Sequence, residues 1–254
     1  MAVVRETYYL YMRNLKIWAT QPASVIPPLF ISAFLYLVFA ASFGDVTRLP
    51  GFPASDYKAF LVAVILVQAV VFSGGDAGFA MLTDILSGYF DKLLLAPINR
   101  FAILFGSLLV AGTRALVQAV LIVAMAAVMG VSFKGGATGL VVVVLMATAL
   151  GIAWSCLGLI IALRTKSAQA TQSSFVLFFP FIFLTSAFMP REFLSGWFKV
   201  ALKANPVNYV LESMRTLVIT GWDWGSIATG LWVLIVMTVG LIAAATWMYR
   251  RATV

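Results

Sequence analysis

Apolar residues fall along this chain in long blocks, and the polar breaks between them set its organisation. Blocks at residues 28–44, 59–82, 101–131, 139–163, 174–189 and 227–249 are each close to continuous. A hydrocarbon core of about 30 Å takes about 20 helical residues. The blocks therefore predict six transmembrane helices, the fifth the shortest. Pro22, Pro27 and Pro28 predict a break before the first. Ser73-Gly74-Gly75-Asp76 predicts an interruption near the end of the second, and Pro180 one in the middle of the fifth. The third is long enough to tilt or to project from the bilayer.

Three other stretches carry a mixed pattern. Over residues 3–20, Val4, Tyr8, Tyr11, Leu15 and Trp18 share one helical face, while Arg5, Arg13, Lys16 and Thr20 lie opposite, with Glu6 beside them. A basic face against an aromatic one predicts an interfacial helix lying in the headgroup region. In residues 84–100, Gly88 and Pro97 bracket about two turns of helix. Asp91, Lys92, Asn99 and Arg100 flank its apolar run Leu93–Ala96, which includes Leu94. A short amphipathic helix between two spans is either a receiver for force from a soluble partner or an ordinary connecting loop. In residues 190–220, Pro190 and Pro206 predict two short helices. Glu192, Ser195, Lys199 and Lys203 form a polar row on the first, with Trp197 among the residues facing away. Asn208, Glu212 and Arg215 form the row on the second. Glu212 and Arg215 are placed to pair. Neither helix is long enough to span. The pair reads as an outer-leaflet re-entrant hairpin, which has to be buried in protein or face water, or as an external helical loop.

Composition fixes the class. The chain is 63% hydrophobic and 10% charged, with a mean hydropathy of +1.03. Globular domains carry about 25% charged residues, so an all-α integral membrane protein is predicted, one domain over residues 1–254. With an even number of spans both termini share one side. Arg5, Arg13, Lys16, Lys92, Arg100, Arg164, Lys166, Arg250 and Arg251 then fall on that side, which the positive-inside rule makes cytoplasmic. The net charge of +8 is assigned to these loops and to anionic headgroups rather than to nucleic acid. The amphipathic start, in place of a short apolar core and cleavage site, predicts no signal peptide.

Several chemistries are excluded. The chain has no histidine and a single cysteine, Cys156, within an apolar block. A Ser–His arrangement, a disulfide framework and a Cys/His metal site are therefore ruled out. No GxxxxGK[ST] motif is present. Asp76 is the acid inside a span and Arg114 the intramembrane cation. Counting from the cytoplasmic ends places them at different depths, with Gln68 nearer to Arg114. Arg114 either lines a polar interior or snorkels. Phe178 and Phe179 belong to an aromatic stripe on the fifth span that is a substrate path, a lipid-facing surface or helix packing.

SGYFDKLLLAPINRFAILFGSLL at 87–109 and FFPFIFLTSAFMPREFLSGWFKVALKANPVNYVLESMR at 178–215 resemble the permease subunit of type-2 ABC exporters, the group handling drugs, lipo-oligosaccharides and polysaccharides. Asn205-Pro206 followed by Glu212 and Arg215 is the most specific part. The resemblance implies a homodimeric or heterodimeric permease with two copies of a cytoplasmic ATPase subunit, which hold the ATP and Mg. It places this chain in a bacterial or archaeal cytoplasmic membrane, with no cofactor of its own. It implies that Gly88, Asp91, Lys92, Leu94, Pro97 and Arg100 belong to the element coupling ATPase to spans. One departure is noted: family members often carry a charged pair just before the glycine, whereas here Asp84 is followed by Ile85 and Leu86. The expected cargo is amphipathic, drug-like or lipid-linked, with lipo-oligosaccharide or polysaccharide export as the alternative. A secondary carrier or a membrane lipid-modifying enzyme stands behind these.

Overall fold

The structure, a computed structural model, describes residues 2–252. The side chains of Ala2, Pro22, Ala23, Ser24, Val25, Ser73, Phe175 and Ala252 are not described, so Pro22, Ser73 of the predicted interruption and Phe175 of the aromatic stripe lie outside the described side chains. The described chain forms α1 (Ala2–Ala19), α2 (Pro22–Ser42), α3 (Tyr57–Leu86), α4 (Tyr89–Leu95), α5 (Arg100–Val128), α6 (Gly136–Thr165), α7 (Ala168–Phe183), α8 (Trp197–Ala204), α9 (Pro206–Ile219) and α10 (Trp224–Ala252). Four of these, α3, α5, α6 and α10, are long and apolar enough to cross a membrane; Ile26–Ser42 and Ala168–Phe183 are shorter apolar helices.

The bundle is organised around α3, whose residues from Phe60 to Val67 are buried on every face. The interruption expected at 73–76 does not occur: α3 is one helix from Tyr57 to Leu86. Its glycines serve close packing instead. A Cβ on Gly74 would lie 3.1 Å from the Gly151 carbonyl oxygen of α6, and one on Gly78 would lie 2.6 Å from that of Gly158. Small residues one turn apart let two backbones meet where lipid supplies no hydrophobic drive. The prolines expected to precede the first span are also absorbed: α2 runs through Pro27 and Pro28. They are its sixth and seventh residues, past the four N–H groups that a helix start leaves free, so α2 runs on without two of its intrahelical bonds.

The fifth block ends early. α7 stops at Phe183, with the Leu184 N–H bonded to the Pro180 carbonyl, and residues 184–190 are not helical. The first predicted hairpin helix is likewise shorter than its polar row, because Gly196 at φ 64° starts α8 only at Trp197. Glu192 sits on a separate single turn, Arg191–Phe193.

The helices leave two ends. At one, α4 joins α3 to α5, and Arg250 near the end of α10 stacks on Phe101 at 4.8 Å. We call this the connector end. At the opposite end, the Lys134 and Gly135 N–H groups of the α5–α6 turn bond to the Val218 and Leu217 carbonyls of α9. The Tyr57 hydroxyl donates to Phe188 there. α1 does not lie across the connector end. It runs beside the first four turns of α5, from Glu6 at Asn99 to Trp18 at Arg114. Gly106 opens the room for this: a Cβ there would meet Leu10 at 3.0 Å.

Candidate functional site

The connector is built from Ser87 onward. α3 ends there, and Gly88 takes φ 70°, the left-handed geometry that glycine reaches without strain. The chain turns into α4. Phe90 is buried edge-on to Tyr249 at 5.9 Å, and Leu93 and Leu94 pack half-buried against the same apolar cluster. Asp91 and Lys92 face outward, with Leu95 88% exposed. The three leucines thus divide, and the outward one is Leu95, not Leu94. Ala96 and the exposed Pro97 end the helix. Asn99 restarts the chain as α5, its side-chain oxygen capping the Phe101 N–H at 2.9 Å, with Arg100 exposed at the first helical position.

Three hydrogen bonds tie α1 to this connector and the end of α3 beside it. The Arg13 guanidinium donates to both Asp84 oxygens, at 3.0 and 2.8 Å, and stacks 3.8 Å from the Tyr89 ring. The bond to Asp84 raises the Arg13 pKa above the ordinary arginine value. The Asn99 N–H donates to Glu6 at 2.8 Å. Ile85 and Leu86 follow Asp84 where family members often carry a charged pair, so no base adjoins it in sequence. Its base arrives from α1, a pairing that reading along one segment does not reveal.

Above the connector, Asp76 and Arg114 form an ion pair at 3.6 Å. This corrects the expectation that the two lie too far apart in depth to meet. α3 extends to Leu86 rather than 82, which moves its end four residues, about 6 Å, further from Asp76. The remaining offset is within the reach of an arginine side chain. Gln68, eight residues from Asp76 and about 12 Å further along α3, is half-buried and as near to Arg114 in depth as Asp76 is. Arg114 is itself buried and lies against Trp18. A cleft of about 370 Å³ between α1, α3 and α5 contains both ion pairs.

At the opposite end, a polar knot holds the hairpin region. Asn205 caps α9 by accepting the Val207 N–H at 3.0 Å, with Pro206 at the first helical position. Its amide donates to the Phe181 and Leu184 carbonyls at 2.6 and 2.9 Å. These are carbonyls that the end of α7 leaves open. Asn208 accepts from the Ser186 backbone N–H at 2.9 Å, and the Ser186 hydroxyl also bonds to Glu212. Arg215 pairs with Glu212 at 2.8 Å, as the spacing predicted. It also donates to the Ala187 carbonyl at 3.0 Å and lies 3.6 Å from the Phe60 ring. α9 is therefore buried on both faces, with Leu211, Met214 and Leu217 also at or below 1% exposure. It packs on the first turns of α10, where the Ser213 hydroxyl donates to the Ser226 carbonyl at 2.6 Å. Pro190 precedes the Arg191–Phe193 turn, and Trp197 is exposed.

The aromatic stripe splits. Phe178 is core, 5.4 Å from Phe72 and 5.9 Å from Trp154. Phe179 is exposed and stacks with Phe183 at 6.1 Å. The residues that one-dimensional reading missed are Arg13 as the partner of Asp84, Ser186 in the knot, and Gly74 and Gly78. The last two spell G-x-x-x-G, a signal that was present in the sequence.

Together these features describe a helical membrane protein with four helices long and apolar enough to cross a bilayer and a short clamped helix at one end. The family model described as ABC-2 type transporter matches residues 5–219. The chain belongs to that family and is a type-2 ABC permease. It is 28% identical over 197 residues to a daunorubicin resistance ABC transporter permease protein of Streptomyces coeruleorubidus, covering 76% of this chain and 66% of the relative, just under two thirds of it. It is 26% identical over 259 residues to a putative transport permease of Porphyra purpurea, covering 95% and 87%. A probable doxorubicin resistance ABC transporter permease protein of Mycobacterium tuberculosis is 21% identical over 218 residues, covering 86% and 78%.

Proposed function

We propose that this chain is the membrane subunit of an ATP-driven exporter, pairing with a second permease copy and two ATPase subunits that hold ATP and Mg. In this reading α2 and α7 complete six crossings, α8 and α9 form a re-entrant hairpin, and both termini face the cytoplasm of a bacterial or archaeal cell. The connector end carries Arg5, Lys92, Arg100, Arg164, Lys166, Arg250 and Arg251, with Arg13 paired to Asp84 beside it, which supports that orientation. The cargo is an amphipathic molecule, drug-like or lipid-linked. Two relatives named for daunorubicin and doxorubicin resistance support that class.

The observation that carries the reading is the two-sidedness of α4. Phe90, Leu93 and Leu94 anchor it to the bundle, while Asp91, Lys92 and Leu95 present charge and an apolar knob outward. Such a helix transmits force, because it grips the spans with one face and offers the other to a partner's groove. The test is Leu95→Asp. The substitution lies on an exposed residue, so insertion and thermal stability stay within about 0.5 kcal/mol of wild type. A charge placed in a buried contact costs about 2–4 kcal/mol of binding, so ATPase co-purification and transport are lost. Wild-type complex and wild-type export from Leu95→Asp would remove the coupling assignment. Orientation is tested separately at the exposed Lys199. Lys199→Cys in a Cys156→Ala background reacts with an impermeant thiol reagent from outside the cell. Labelling only after lysis reverses the topology.

A further inference from the structure

The cleft between α1, α3 and α5 has features that an ATPase-coupling role does not use. Its polar groups sit on one face of α3, at Asp76, Thr83, Asp84 and Ser87, opposite Arg13 of α1 and Arg114 of α5. Its apolar wall includes Ile17, Ala77, Phe79, Val110 and Ala111, and it opens beside the exposed Ala80 and Thr83. The two ion pairs are unequal. Arg13 and Asp84 are joined by two short bonds. Arg114 is 8% exposed, reaches Asp76 only at 3.6 Å, and its buried Nε has no hydrogen-bond acceptor among the described residues. Buried polar groups are nearly always bonded, and each one left open carries a desolvation cost. A guanidinium that lines the cleft thus carries a loose ion pair and a hydrogen-bond donor left open.

We propose that this cleft binds a zwitterionic amphiphile, a lipid whose headgroup carries a phosphate-type anion and a primary ammonium. The anionic oxygen accepts from Arg114, the ammonium donates to Asp76, and the tail lies along the apolar wall. Charge balance selects the zwitterion. The cleft holds two arginines and two aspartates, so a neutral headgroup leaves it neutral, whereas a purely anionic one leaves a net negative charge among apolar side chains. Charge-assisted bonds to both ends of the headgroup supply affinity. A primary ammonium is required because a quaternary one has no N–H to give to Asp76.

The test uses the full-length permease, reconstituted in vesicles with equal parts of dioleoyl phosphatidylethanolamine, phosphatidylglycerol and phosphatidylcholine. The protein is then extracted in mild detergent and weighed intact by mass spectrometry. The expected result is retention of phosphatidylethanolamine over each competitor by about tenfold, the equivalent of one charge-assisted bond. Asp76→Asn removes that preference. Ala80→Trp, at the exposed mouth, removes the retained lipid while leaving the melting temperature unchanged. Equal retention of the three lipids, no retained lipid at all, or a preference untouched by both variants overturns the proposal. Displacement by water-soluble glycerophosphoethanolamine overturns the assignment to a lipid. Bound lipid is read without ATP or ATPase, so failure of the export reading leaves the result standing, and failure here leaves the export reading intact.

Discussion

At the connector end, α4 is anchored by a small apolar contact of Phe90, Leu93 and Leu94, while the Arg13–Asp84 pair beside it reaches water, at 30% and 22% exposed, and Leu95 projects outward. At the opposite end, Arg215 is 4% exposed, and the Asn205, Asn208 and Arg215 side chains are spent on carbonyls and N–H groups of residues 181–187. Both ends solve one problem, fixing an irregular segment between helices. The connector combines a small apolar contact with one water-reaching ion pair that opens at little cost. The far end uses buried polar groups that become costly as soon as one partner is removed. The difference points to a movable receiver at one end and a fixed anchor at the other.

The comparison breaks most strongly at Arg215. Arg215→Met leaves Glu212 without its cation and the Ala187 carbonyl without its donor, so a loss of about 3–5 kcal/mol is expected from thermal unfolding in detergent. A melting temperature near wild type would show that the knot is not an anchor. Next comes the helix contact that supports both ends. Gly78→Leu drives a side chain into the Gly158 backbone and should cost about 1–3 kcal/mol, while Gly44→Ala, with open space around it, should cost little. Smaller again is Arg13→Gln, expected to lower stability by about 1 kcal/mol while uncoupling ATP hydrolysis from transport. An equal loss of stability at Arg13 and Arg215 would erase the distinction.

The smallest effect concerns pH. Asp223 is held below the usual carboxylate range by its bonds to Ser226 and Gly225 at the start of α10. A depressed carboxylate adds stability that is present above its unfolded pKa and is lost as pH falls through the folded value. Wild type should therefore lose a little stability on acidification that Asp223→Ala does not, as read from melting temperatures across the acid range.

The comparison was only partly legible in the sequence. The long blocks at 101–131, 139–163 and 227–249 became α5, α6 and α10 with small shifts, because burial and helix length govern them directly. Gly88, Pro97 and Asn99 marked the connector, because turn and cap chemistry are local. Glycine at 74–75 misled, since a break and a close helix contact use the same residue, and only the facing Gly151 and Gly158 decide between them. Asp84–Arg13 and Asp76–Arg114 were hidden for the same reason: each pair joins separate helices, and its register depends on where α3 ends. Glu212–Arg215 was visible because its spacing lies within one helix.

The central claim is that the connector receives the ATPase while the far knot stays still. Amide hydrogen exchange on the permease, with and without its ATPase subunit bound, tests it most directly. The account predicts added protection across residues 88–99 when the ATPase binds and no change across residues 205–219. Unchanged exchange at 88–99, or protection appearing at 205–219 instead, would contradict it.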